Sequence, residues 1–128
     1  ASVPSAFALG PRRGAAVREM ANGSRVAFTP REKLQGEARS RLFSEALLKA
    51  LQQGKLPVHS NRPIRNIIHR DGKDFIPAVI RHTIAATRVL VEVANLTNDD
   101  DADNLRDAGF REKYAEAVVK AIRAYFRK

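Results

Sequence analysis

Cysteine and tryptophan are both missing from the 128 residues. Without cysteine there can be no disulfide and no thiolate metal ligand, and the redox compartment is left undecided. Aromatics are few, six Phe and two Tyr, and they are not interleaved with the arginines. Single-stranded nucleic acid is held by bases stacking on aromatic side chains in a basic groove, so the chain offers a poor platform for one. Zinc-finger and RNP-like signatures are also lacking, and nucleic acid is not expected as a partner. No apolar run approaches the roughly 20 residues of a membrane-spanning helix, so no membrane span is expected. The first residues lack the charged-then-apolar layout of a signal peptide. There is no P-loop, no dinucleotide glycine fingerprint and no Gly-x-Ser-x-Gly turn, which removes the sequence support for nucleotide chemistry and for a serine nucleophile.

Positive charge is present in excess, with 23 Lys and Arg against 14 Asp and Glu and a net charge of +9. Residues 99–128 carry seven acids and seven bases, so the excess lies wholly in residues 1–98, with sixteen bases and seven acids. Such one-sidedness favours a polyanionic partner without choosing among nucleic acid, anionic lipid and acidic wall polymer. The length suits one domain with a real core. Residues 1–35, punctuated by Pro4, Gly10, Pro11, Gly14, Gly23 and Pro30, read as loop-rich. A strand is expected within them at Arg25–Thr29, ended by Pro30. Residues 36–128 then form an α/β core.

A helix is expected over Glu37–Gln53, where Phe43, Ala46, Leu47, Ala50 and Leu51 make one apolar stripe and Gly54 stops it. The following block is basic and loop-like, with His59, Arg62, Arg65, His69 and Arg70, and Asp71-Gly72 marks a turn. Pro77–Arg81 reads as a short strand beginning at Pro77, expected to lie next to a strand at Arg88–Val93. Two helices close the chain. Asn98 or Asp99 caps the first and Asp107 the second, whose face is Phe110, Tyr114, Ala117, Val118, Ala121, Ile122 and Tyr125. The acids at Asp99–Asp103 suit a helix N-terminus, and the EF-hand pattern that would turn them to calcium is absent.

The chain is organised around Arg88–Asn98. Five of the six residues Val89–Ala94 are apolar, and Glu92 alone interrupts them. A short β-branched run bounded by Asn-rich sequence reads as a buried strand entering a loop. A carboxylate there is costly unless something needs it, either chemistry or an Arg partner. In open α/β sheets the carboxyl ends of strands open onto the ligand crevice. Glu92 is therefore the leading site residue.

Val-Leu-Val-Glu at 89–92, Asn-Leu-Thr-Asn at 95–98, the acidic helix start and then Leu105, Phe110 and Tyr125-Phe126 resemble the C-terminal half of the zinc-dependent N-acetylmuramoyl-L-alanine amidases. The likeness is strongest from Pro77 to Phe126. It implies a small mixed or parallel sheet flanked by helices, the C-terminal part of a larger three-layer domain. It also implies a peptidoglycan hydrolase of the periplasm or cell exterior that cleaves the amide between N-acetylmuramic acid and L-alanine with zinc-activated water. Glu92 would be its acid/base, and Asn95 and Arg81 would bind substrate. Asn98 reads first as a helix cap; for Asn95, capping and shaping the loop beside the scissile bond are even. The family's metal ligands come from an earlier half with a Gly-His-Gly-Gly-like turn, a glutamate and a Ser-x-His segment. None is found in this chain, where Pro4 stands in the place of that histidine. His59, His69 and His82 lack the i, i+4 spacing of a helical zinc pair. The expected outcome is a chain inactive alone, either completed by a missing N-terminal half or second copy, or degenerate and binding an anionic cell-wall polymer.

Overall fold

The structure, a computed structural model, describes residues 7–9, 17–19, 25–65, 68–75, 77–81, 83 and 85–127. Three short strands open the chain: β1 (Phe7–Leu9), β2 (Val17–Glu19) and β3 (Arg25–Ala27). They are followed by the long helix α1 (Pro30–Gln53). Strands β4 (Ile64–Arg65), β5 (Ile68–Arg70) and β6 (Lys73–Phe75), the one-turn helix α2 (Ala78–Arg81) and β7 (Leu90–Glu92) come next. Helices α3 (Asp99–Arg106) and α4 (Ala108–Phe126) complete the order. The class is α/β.

The core sits between α1 and α4. Leu47, Ala50, Leu51 and Leu56 meet Tyr114, Ala117 and Ala121 there, and Phe43, Val58, Val91, Val93 and Phe110 pack around them. Small residues on the α4 side let the helices approach closely. Phe43 meets Tyr125 edge to face, with ring centroids 5.5 Å apart, the offset the ring quadrupoles favour.

The expected helix over Glu37–Gln53 is present and begins two turns earlier. Thr29 is its N-cap: the Glu32 amide donates to Thr29 Oγ1 (3.1 Å) and the Thr29 amide to Glu32 Oε2 (2.9 Å). This reciprocal pair is a capping box, and Pro30 occupies the first helical position, where its missing N–H costs nothing. Pro30 thus starts a helix as well as following the strand expected at Arg25–Thr29, which is β3 and pairs antiparallel with β2. The Asp71-Gly72 turn is also found. It joins β5 to β6, with both residues at positive φ (51° and 72°) as a tight hairpin turn requires.

Two expectations are corrected. Pro77–Arg81 is no strand: Ala78–Arg81 form α2, opened by a bond from the Ile80 amide to the Pro77 carbonyl (2.9 Å). Ile80 turns inward while Val79 stays exposed. A four-residue apolar run does not distinguish strand from helix by periodicity, and proline suits a first helical turn as well as a strand start. Consequently β7 does not neighbour that run. Its partner is β1, antiparallel, with Phe7 opposite Glu92, Ala8 opposite Val91 and Leu9 opposite Leu90. On its other side β1 pairs parallel with β4, giving the order β4-β1-β7. The central strand comes from the segment that composition marks as loop, because three residues among prolines and glycines carry no alternation signal.

Candidate active site

The segment leading into β7 is fixed to both long helices. The Thr87 and Tyr125 hydroxyls hydrogen-bond each other, tying it to α4. The Arg88 amide donates to Ser40 Oγ (3.0 Å), tying it to α1. Along that face of α1, Ser40 and Ser44 turn their hydroxyls back to the carbonyls of Gly36 and Ser40 (2.7 and 2.8 Å). Gly36 completes the small face, since a Cβ there would lie 3.0 Å from the Ala86 carbonyl oxygen. The Arg88 side chain is buried alongside and donates from Nη1 to the Ala85 carbonyl (2.6 Å).

From that anchorage β7 runs with Val91 and Val93 packed onto the helical core. Successive strand side chains alternate, so Leu90 and Glu92 stand on the opposite face. Glu92 is half-buried, and among the described residues its carboxylate has no hydrogen bond or ion pair. The Arg partner that a purely structural carboxylate would need is not found there.

The loop after Glu92 is tightly built. The Asn98 amide donates to the Asn95 carbonyl (2.9 Å), closing a four-residue turn. Asn95 Oδ1 accepts from the Thr97 amide (3.0 Å) and the Thr97 hydroxyl (2.8 Å). The Asn95 amide in turn donates to Asp101 Oδ2 (2.7 Å), while the Asp101 amide donates to Asn98 Oδ1 (3.0 Å). Asn98 is therefore the expected cap of α3, and Asn95 shapes the loop instead of capping. Asp107 caps α4, accepting from the Phe110 amide (2.9 Å).

Two contributors are not among the residues singled out from the sequence. Asp101 is 4% exposed and holds the loop to α3, yet it stands in a run of like residues with nothing to single it out. The Gly36, Ser40, Ser44 series did carry a signal, three small residues at i, i+4 spacing on one helix. The third site residue inferred from sequence, Arg81, ends α2, with its backbone alone described.

Zinc needs about three protein ligands with room for water. Among the described residues no three His, Asp or Glu side chains come together that could hold a metal ion. His59 is engaged elsewhere: Nδ1 lies 3.2 Å from the amides of Asn61 and Arg62, and Nε2 3.1 Å from Arg65 Nη2. A guanidinium against the ring nitrogen is a poor neighbour for a cation. His82, the His69 side chain and Pro4 lie outside the described residues. The described residues do not fit zinc.

Residues 14–124 match the family model described as N-acetylmuramoyl-L-alanine amidase. The chain belongs to that family. No curated protein matches it. The match spans α1, β7, the Asn95–Asn98 loop, α3 and α4 as far as residue 124, while β1 and Tyr125 lie outside it. The family is one of cell-wall hydrolases and generally depends on zinc. No helix among the described residues is long and apolar enough to cross a membrane.

Proposed function

We propose that this chain carries the proton-transfer half of a peptidoglycan amidase, with Glu92 as the acid/base. The supporting observation is the Glu92 carboxylate itself, half-buried and unpaired among the described residues, directly before a loop cross-braced by Asn95 and Asp101. A carboxylate held at a strand end with no Arg partner among the described residues is free to take and return a proton, which is the role assigned to it. In the reaction, water oxygen bonds to the lactyl carbonyl carbon of the muramic acid and the C–N bond to L-alanine breaks. Glu92 takes the proton that the water sheds and returns it to the departing nitrogen. Asn95 and Arg81 are assigned to substrate, Asn95 through the loop it shapes. The three-layer sheet, the zinc and a periplasmic or extracellular location belong to this reading. The described residues supply no fitting ligand set, so their part is confined to binding and proton transfer.

The test is release of muropeptides from purified peptidoglycan by the natural full-length protein, with the Glu92→Gln variant beside it. A new L-alanine amino terminus formed by wild type and lost in the variant is the expected result.

A second reading is favoured by the misfit to zinc and by the sixteen bases of residues 1–98. In it the chain is a degenerate amidase-like module that holds an anionic wall polymer. Salt-sensitive retention on purified cell wall, with no muropeptide released and no effect of Glu92→Gln, would select it.

A further inference from the structure

We infer that the outward face of α4 is a docking surface for a second copy of this chain, the two helices lying antiparallel across a two-fold axis. That face is opposite the Tyr114, Ala117 and Ala121 side buried on α1, and it leaves Val119, Ile122 and Phe126 exposed at 46%, 42% and 71%. A shallow depression runs along it.

The residues lining the depression are self-complementary. Measured from the midpoint between Val119 and Lys120, Glu112 is as far to one side as Arg127 is to the other, and Glu116 mirrors Arg123. Val119 lies beside the midpoint, next to its own counterpart in the second copy. An isologous contact requires that residue i of one copy meets residue j of the other and j meets i. Antiparallel pairing about this midpoint puts each glutamate against the partner's arginine, four opposite-charge pairs in all.

Within one chain these charges have no such use. Glu112, Glu116, Arg123 and Arg127 make no ion pair or hydrogen bond among the described residues. Glu112 with Glu116, and Arg123 with Arg127, are like charges at i, i+4, which weaken a lone helix. The helix dipole explains the arginines of the last turn. It does not explain the glutamates, because α4 begins at Ala108 and the effect fades within the first turn. Lys120 is already turned away, donating to Gln53 Oε1 (2.6 Å).

The stripe is about 22 Å long at 1.5 Å per residue, a smaller contact than permanent dimers bury. The dimer is therefore weak and sensitive to salt.

Sedimentation equilibrium of the 128-residue chain tests this. Dimer is expected at high protein concentration and low ionic strength, dissociating at about 0.5 M salt. Glu112→Arg/Glu116→Arg and Arg123→Glu/Arg127→Glu should each weaken self-association by about tenfold or more, and an equimolar mixture should restore the dimer as a heterodimer. Val119→Asp, at the centre of the stripe, should dissociate it with every charged pair left in place. Wild type monomeric at millimolar concentration and low salt, variants that dimerise as wild type does, or a mixture no better than its parts would each overturn the proposal.

Discussion

Among the three aspartates that open α3, Asp101 alone is buried, and its carboxylate holds the Asn95 amide at 2.7 Å. Asp101→Ala should therefore strand that amide, costing about 1–3 kcal/mol in denaturant unfolding and speeding hydrogen exchange at Asn95. The exposed neighbour Asp100, changed to Ala, should do neither. Tyr114 makes a different prediction. Burial raises its phenol from 10.0 to about 12, and its hydroxyl has no hydrogen-bond partner among the described residues. The unfolded phenol ionises at about pH 10 while the folded one stays neutral. The unfolded state thus binds fewer protons above that pH, and stability falls between pH 10 and about 12. Tyr114→Phe should leave stability at pH 7 unchanged or slightly higher, since an unsatisfied hydroxyl is removed, and should shallow the alkaline fall. Denaturation of both proteins from pH 7 to 11 measures it. At this scale the sequence singles out Glu92 as a lone carboxylate in an apolar run. It was silent on Asp101, whose burial depends on where the Asn95 turn folds back.

The capping box of α1 was written in the chain as Thr29-Pro30-Arg31-Glu32, although the proline reads equally well as a strand terminator. Thr29→Ala should cost about 1 kcal/mol by removing the acceptor for the Glu32 amide, and the helix signal in circular dichroism should fall at lower denaturant. Apolar periodicity identified the interior of α1 and all of α4, because long amphipathic helices repeat the pattern several times. It failed at Pro77–Arg81, where one helical turn and a short strand have the same composition. Two strands were hard to read for a related reason: β1 and β4 are two or three residues long, too short to alternate, whereas the longer apolar run around β7 did announce a strand.

The whole molecule rests on a small interhelical core, and Glu92 depends on it at some distance. Leu47 is among its most buried side chains, so Leu47→Ala should cost roughly 2–5 kcal/mol by transfer and cavity terms, measurable as a lowered denaturation midpoint. The same helices hold the approach to β7 through Ser40 and Tyr125, so the position of the carboxylate is set by residues about 50 and 30 positions away. That long-range placement is what periodicity could not reveal: β1 lies between β4 and β7, and no local pattern announces pairings across more than 50 residues. The role of Glu92 is tested by turnover on peptidoglycan and melting temperature of Glu92→Gln, taken on the same preparation of the natural full-length protein. The amide keeps the shape of the side chain and loses its capacity to take a proton. Turnover lower by about 10²–10⁴-fold with an unchanged melting temperature is the result expected of an acid/base. Full turnover in the folded variant would rule out proton transfer by Glu92, as would a loss that tracks unfolding, the mark of a buried ion pair worth roughly 3–5 kcal/mol when broken.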